Sequence, residues 1–138
     1  MANNLYYNYA NLMLGNGTHT LPDLDTHNIK AVLIDHGDIA PLVASHQDLD
    51  DIDVSPVATS GNMSAASISN GAIDFGDFAF ATVTGDSAES LNFYYDSGTP
   101  STSPLIAYFD TATGLPVTPN GADINVVLNG SGLFKLVV

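Results

Sequence analysis

The regular alternation of short apolar segments with turn-forming residues restricts the fold of this chain more than any other feature. Apolar and small or polar side chains alternate along residues 77–84, 91–95 and 124–128, and Gly, Asn, Asp and Pro separate these segments. Turn signals recur roughly every 8 to 15 residues, and no long helical segment lies between them. This pattern is typical of sandwiches and barrels. The sequence therefore predicts an all-β fold, an antiparallel β-sandwich of about seven or eight strands.

The composition agrees with a fold that is rich in strands and turns. The chain has fourteen Asp but one Glu, together with 12 Gly and 7 Pro. Asp favours turns and caps, whereas Glu favours helix interiors. Cysteine is absent, which excludes a disulfide scaffold, a thiolate zinc site and a cysteine nucleophile.

The charge balance excludes several classes of partner. Lys30 and Lys135 are the two basic residues, and the formal net charge is −13. Binding to nucleic acid requires many Lys or Arg to neutralise phosphates, and binding to anionic lipid requires a basic segment. No apolar run approaches the roughly 20 residues that span a bilayer, and the N-terminus lacks the features of a secretory signal. We therefore expect no nucleic-acid partner and no membrane partner.

The first residues are the best candidate for a helix. Residues 3–14 carry apolar side chains at helical spacing, and Gly15 and Gly17 follow. These apolar positions are Leu5, Tyr9, Leu12 and Met13. Two interpretations stay open: a helix that covers one end of a sheet, or an arm whose Tyr6, Tyr7 and Tyr9 contact a neighbouring subunit. We expect residues 1–27 to form this helix or arm with its connection, and residues 28–138 to form a single β-sandwich domain.

Further elements follow from local patterns. Residues 28–35 are apolar on both faces, which predicts a strand inside a sheet. Pro41 is expected in the first turn of a short helix, and Pro56 confines the strand at residues 54–60 to a sheet edge or a bulge. The other predictions are a helical turn or capped loop at 48–53, strands at 77–84, 91–95, 105–109, 124–128 and 133–138, a long ordered loop at 110–121 and a hairpin turn at 129–132.

The acidic cluster Asp48, Asp50, Asp51 and Asp53 is the first candidate for metal chemistry. An EF-hand loop that starts at Asp48 would need Gly and Glu where the chain has Asp53 and Thr59. Solvated carboxylates that cap a helical turn are the favoured interpretation. A calcium site of another kind stays open.

The four histidines, His19, His27, His36 and His46, do not have the spacing of a helical metal motif. His36 lies between Asp35 and Asp38, so these residues could hold a metal or could simply form a loop at the end of a strand. A nucleophile elbow and a phosphate-binding loop are also absent from the sequence. The sequence therefore predicts a non-enzymatic protein with no catalytic residues, no cofactor and no metal site.

Two long segments resemble a known group of proteins. Residues 29–52 (IKAVLIDHGDIAPLVASHQDLDDI) resemble the early part of a group of small virion proteins of tailed bacteriophages. Residues 89–136, which include SPLIAYFDTATGLPVTPNGADINV and NGSGLFKL, resemble the end of the same group. Between them, AIDFGDFAFATVTGDSAESLNFYYDSG matches its succession of strand, VTGDxAE and strand. The N-terminal NLYYNYANLML differs, because relatives carry a Lys-rich helix there.

This resemblance implies a structural protein of a phage particle, made in the host cytoplasm and located in the virion. Small acidic β-sandwich proteins of phages resemble capsid cement or decoration proteins, which have jelly-roll-like folds and bind the outside of the head. The partners would be the major capsid protein and copies of the chain itself, as a dimer or trimer. The residues expected to contact partners are Tyr6, Tyr7, Tyr9, Leu115, Pro116, Val117, Pro119 and Phe134.

Two alternatives to a cement protein stay open. One is another virion position, such as a head–tail joining, tail or fibre-base component. The other is a β-sandwich that binds host-surface glycans, which requires an exposed aromatic platform. Tyr94 and Tyr95 are the pair that could form one.

Overall fold

The computed structural model describes residues 3–17, 19–53, 55–64 and 66–135. These residues form mostly β-structure, with one short α-helix, α1, at Tyr7–Met13. The strands among them are β1 (Asn4–Leu5), β2 (Ile29–Ile34), β3 (Ala58–Thr59), β4 (Ser67–Ser69), β5 (Ala72–Asp74), β6 (Phe78–Phe80), β7 (Ser90–Tyr95), β8 (Leu105–Phe109), β9 (Ile124–Val126) and β10 (Phe134–Lys135). Two 3₁₀ turns lie at Leu49–Asp51 and Pro100–Thr102.

The strands form three antiparallel sheets. The main sheet has the order β1-β8-β7-β2-β3, and the smaller sheets are β10-β5-β4 and β6-β9. Strands β2 and β7 pair along their full length, from Ile29 with Tyr95 to Ile34 with Ser90. Their position at the centre of the sheet follows from the sequence, because strands that are apolar on both faces are covered on both faces.

The core lies on both sides of these central strands. Phe93 of β7 is fully buried and makes edge-to-face contacts with Phe78 and Phe109. Such aromatic pairs add to the free energy that burial of the rings supplies. The other large side chains with almost no exposure are Tyr6, Ile29, Leu33, Ile34, Ile52, Phe80, Leu105, Ile106 and Tyr108.

The prediction of a mostly β, antiparallel fold with a short N-terminal helix is confirmed. The structure also has strands within the predicted segments 28–35, 77–84, 91–95, 105–109 and 124–128. The jelly-roll topology stays a prediction. Among the described residues, no helix has both the length and the apolar character needed to cross a membrane.

The N-terminal helix is shorter than the prediction of residues 3–14. Asn4 and Leu5 pair with Tyr108 and Ala107 of β8, and the Tyr6 amide donates to the Ile106 carbonyl at 3.0 Å. These hydrogen bonds hold the first residues in an extended conformation, so the helix begins only at Tyr7. Asn4 and Leu5 therefore belong to the main sheet.

Other elements also differ from the prediction. The prediction of a hairpin turn at 129–132 is wrong, because the strands on its two sides lie in different sheets, β9 beside β6 and β10 beside β5. The prediction of a short helix at Pro41 is wrong. The amides of Ser45 and His46 both donate to the Leu42 carbonyl, which forms a single turn and no helix. The strand expected at 54–60 contains β3 alone, at the edge of the main sheet, and Val54 lies outside the described residues. The closing strand expected at 133–138 is Phe134–Lys135, and residues 136–138 lie outside the described residues.

Candidate partner-binding surfaces

Tyr6 is part of the core. Its side chain is 0% exposed, and its hydroxyl donates to Asn92 Oδ1 at 2.7 Å. The Asn92 amide in turn donates to Ser90 Oγ at 3.0 Å, and both of these residues are fully buried. Burial raises the pKa of Tyr6, and the neighbouring Tyr108 raises it further. This side chain links the N-terminal segment to β7.

Tyr9 is also buried, at 3% exposure, and burial raises its pKa to about 12. Its ring meets Phe134 edge to face, with 6.2 Å between the ring centroids. Tyr6 and Tyr9 therefore pack within their own chain, and Phe134, which is half-buried, packs with Tyr9. This is contrary to the expectation that Tyr6 and Tyr9 contact a partner, because strand β8 and the C-terminal strand already cover them.

Tyr7 differs from its two neighbours because its side chain is 53% exposed. Its amide donates to the Val43 carbonyl at 2.9 Å, which places the start of α1 beside exposed Leu42. Leu14 lies about two turns along the helix from Tyr7 and is 84% exposed. Residues 3–22 contain no Asp, Glu, Lys or Arg. Tyr7, Leu14 and Leu42 are called the helix patch below.

The predicted long loop at residues 110–121 is ordered by hydrogen bonds. Asn3 Oδ1 accepts from the amides of Asp110 and Thr111 at 3.2 and 3.0 Å, and Asn3 Nδ2 donates to the Thr111 carbonyl at 3.0 Å. Further along, Val117 and Ala88 exchange two backbone hydrogen bonds of 2.9 Å. The loop is thus tied to the N-terminal segment and to the residues before β7.

The side chains of this loop divide into two groups. Leu115 and Val117 are half-buried and pack against the core, and Pro119 is half-buried as well. Pro116 is exposed, as are the four residues 111–114. Pro116 is therefore an exposed apolar residue of the segment 111–116, which is named the loop tip, whereas Leu115 and Val117 anchor the loop.

The acidic cluster at residues 48–53 serves the fold locally. Asp51 Oδ2 accepts from the amides of Gln47 and Asp48 at 2.7 and 3.2 Å, which caps the 3₁₀ turn Leu49–Asp51. Asp48 Oδ2 lies 2.9 Å from His19 Nε2. Burial raises the pKa of Asp48, and the hydrogen bond with His19 opposes that rise. This geometry agrees with the interpretation of capping carboxylates.

His36 is half-buried and lies two residues after the end of β2. Its ring stacks on Tyr108 at 6.3 Å, and its amide donates to Glu89 Oε2 at 2.8 Å. No three His, Asp or Glu side chains in the described part of the chain are grouped closely enough to hold a metal ion. Its position at the end of β2 fits the loop interpretation.

The aromatic pair Tyr94 and Tyr95 does not form the open platform that a glycan site requires. Tyr94 is 3% exposed, because β7 is a central strand that is covered on both faces. Tyr95 is half-buried, and the His27 ring stacks on it at 4.7 Å. The structure thus covers both rings with groups of the same chain.

Sequence reasoning did not identify Leu14, Leu42 and Asn3. The exposure of Leu42 follows from a turn at a place where a short helix was predicted. The three hydrogen bonds of Asn3 join residues that lie far apart along the chain, so no local pattern could indicate them. In the sequence, Asn3 is simply the first residue of the segment predicted as a helix.

The chain matches no known protein-family model, and no curated protein sequence is significantly similar to it. Support for a function therefore comes from the surfaces of the molecule and from the resemblance of its segments.

Proposed function

We propose that this chain is a non-enzymatic structural protein of a bacteriophage particle. It binds the outer surface of the head as a cement or decoration protein, bridges capsomers and stabilises the shell. The observation that carries this proposal is the helix patch, an exposed apolar surface on a chain with a net charge of −13. Two of its three residues, Tyr7 and Leu14, lie in the uncharged segment 3–22. The resemblance of residues 29–52 and 89–136 to phage virion proteins points to the major capsid protein as the partner.

The helix patch has the composition of a contact surface. Aromatic residues are enriched and charged residues depleted at the centres of protein interfaces. Covering Tyr7, Leu14 and Leu42 removes apolar area from water, which stabilises a complex by about 25 cal/mol per Å². Acidic residues elsewhere on the chain would then face outward, and like charges on neighbouring particles repel each other.

A protein that bridges two capsomers needs a second contact surface. The loop tip provides one, because it lies apart from the helix patch. The loop begins after Phe109, the last residue of β8, whereas the segment that leads into α1 is hydrogen-bonded to Ile106, near the start of β8. The two surfaces thus depart from different ends of β8, and hydrogen bonds hold both to the same sheet. Each contact can be modest, since a shell repeats it many times. An interface of standard size buries about 800 Å² on each partner.

The experiment that tests this proposal measures the copy number of the chain relative to the major capsid protein in purified particles. A cement protein follows the head lattice, so we expect a ratio near one or a simple fraction such as about one third. A tail or joint component would occur in about 6 or 12 copies, as cyclic symmetry requires. That result would replace the cement role with the head–tail alternative. Absence from particles would refute any virion role.

A further inference from the structure

Strand β4 leaves one backbone edge uncovered by the described residues. It is the outer strand of the sheet β10-β5-β4, and its three residues are all exposed. Ile68, at its centre, is 57% exposed although it pairs with buried Ile73. An open edge presents N–H and C=O groups that can pair with another strand.

The register shows which groups point outward. Asn70 and Gly71 form the two-residue turn between β4 and β5, with φ values of 51° and 74°, as a type I′ hairpin requires. In such a hairpin the residues that flank the turn exchange hydrogen bonds, and the next pair does not. The next pair is Ile68 with Ile73, so the Ile68 amide and carbonyl point away from β5. The Ile73 carbonyl accordingly accepts from the Leu133 amide on its other side.

The outward groups of Ile68 are complementary to themselves. If a second β4 lies antiparallel to the first across a two-fold axis at Ile68, each Ile68 amide donates to the other Ile68 carbonyl. The two Ile68 side chains then lie on the same face, next to each other. Two-fold symmetric contacts of this kind use one surface patch on both copies.

Electrostatics favour a second copy over another kind of partner. Each copy has a net charge of −13, so two copies approach most easily where charge is absent. Residues 54–73 contain no Asp, Glu, Lys or Arg. The nearest carboxylates in β5, Asp74 of each copy, would lie about 16 Å apart, given ~4.8 Å between strands and ~3.4 Å per residue. That distance exceeds the Debye length of about 8 Å at physiological ionic strength. A cationic partner would instead be drawn to the acidic surfaces.

We propose that the outer edge of β4 is an interface with a second copy of this chain, which extends the sheet from three strands to six. This interface does not depend on the virion role, because it forms between isolated copies. The contact is short, so the dimer forms at high protein concentration, and added salt strengthens it by screening the repulsion between copies.

Single cysteine variants test this register directly, because the chain has no cysteine of its own. In Ile68→Cys, the two Cα atoms across the two-fold axis lie about 5.5 Å apart, within the range that a disulfide spans. In the control Ser67→Cys, the same atoms lie more than about 7 Å apart. We expect mild oxidation to convert most of the Ile68→Cys protein into a covalent dimer and to leave Ser67→Cys largely monomeric. Equal crosslinking of both variants would overturn the proposal.

Sedimentation equilibrium of the unmodified chain gives an independent measurement. We expect the mass to rise from 14.4 kDa towards twice that value as protein concentration and salt increase. Ile68→Pro removes the outward amide without removing a hydrogen bond to β5, and it should abolish the dimer. A dimer that persists in Ile68→Pro, or a chain that stays monomeric throughout, contradicts the interface. Neither result affects the copy number in particles, so this inference and the cement role fail separately.

Discussion

At the scale of single residues, a few buried polar side chains determine how the N-terminal segment packs on the core. Tyr6, Asn92 and Ser90 form a chain of hydrogen bonds inside the main sheet, away from solvent. A buried polar group is costly unless it is paired, so each member depends on the others. These hydrogen bonds therefore fix the position of the N-terminal segment on β7 more precisely than apolar contacts alone would.

We expect Tyr6→Phe to lower the free energy of unfolding by about 1–3 kcal/mol, because it leaves the buried Asn92 oxygen without its donor. Urea denaturation measures the change. The matched control is Tyr7→Phe, which removes the same hydroxyl from a half-exposed ring. Its effect should stay within about 0.5 kcal/mol, as for surface substitutions. Equal losses in both variants would contradict the role given to the hydrogen bond.

The ion pair between Lys30 and Asp96 predicts a pH dependence. Lys30 Nζ lies 2.6 Å from Asp96 Oδ2, and this hydrogen bond holds the pKa of Asp96 below its usual value of 3.8. A lowered carboxyl pKa stabilises the fold above pH 3.8, and the contribution is lost as the pH falls through the folded-state pKa. Asp96→Asn retains Oδ1 as an acceptor for the Gly98 amide.

We therefore expect Asp96→Asn to cost about 0.2–1 kcal/mol at pH 7, because both partners are partly exposed to solvent. Its stability should approach that of the unmodified chain as the pH falls well below 3.8. Thermal unfolding across pH 2–7 measures this difference. Asp86→Asn, at an exposed position, serves as the control. A difference that stays constant down to the lowest pH would exclude the ion pair as its cause.

At the scale of secondary-structure elements, the sequence predicts the strands whose own residues require burial. β2, β7 and β8 are apolar or aromatic runs, and their positions were apparent from the chain alone. β1 was not, because Asn4 and Leu5 have no strand signal of their own and are held by β8. The hairpin of β4 and β5 was also missed. All three residues of β4 are exposed and two of them are serine, so the strand lacks the apolar run that marks β2, β7 and β8.

The helix patch predicts which exposed side chains of α1 and the turn beside it are needed for binding to particles. In particles, we expect the double variant Tyr7→Ser, Leu42→Ser to be displaced by the unmodified protein and to fall at least about tenfold in occupancy. Loss of roughly 1.4 kcal/mol of binding free energy gives that factor. The control is Val127→Ser, another exposed apolar residue outside the patch. Mass spectrometry of purified particles measures the occupancy, and unchanged occupancy would exclude the patch as the contact.

At the scale of the whole molecule, the candidate surfaces could be predicted only in part. The sequence analysis named tyrosines near the N-terminus and residues of the loop at 110–121 as expected partner contacts. It could not distinguish Tyr7 from Tyr6 and Tyr9, because an aromatic side chain suits a core and an interface equally well. That distinction depends on β8 and β10, which cover two of the three rings. The net charge, in contrast, follows from the sequence alone, and it affects every contact between copies.

The strand order of the main sheet also sets a delay during synthesis, between the emergence of β1 and that of its partner strand β8. β1 leaves the ribosome before its partner β8, which follows only after about 100 further residues. At about 5–20 residues per second, this takes on the order of 5–20 seconds. During that interval Tyr6 and Tyr9 have neither β8 nor β10 to cover them. The nascent chain therefore exposes this tyrosine-rich segment until β8 and then β10 have emerged.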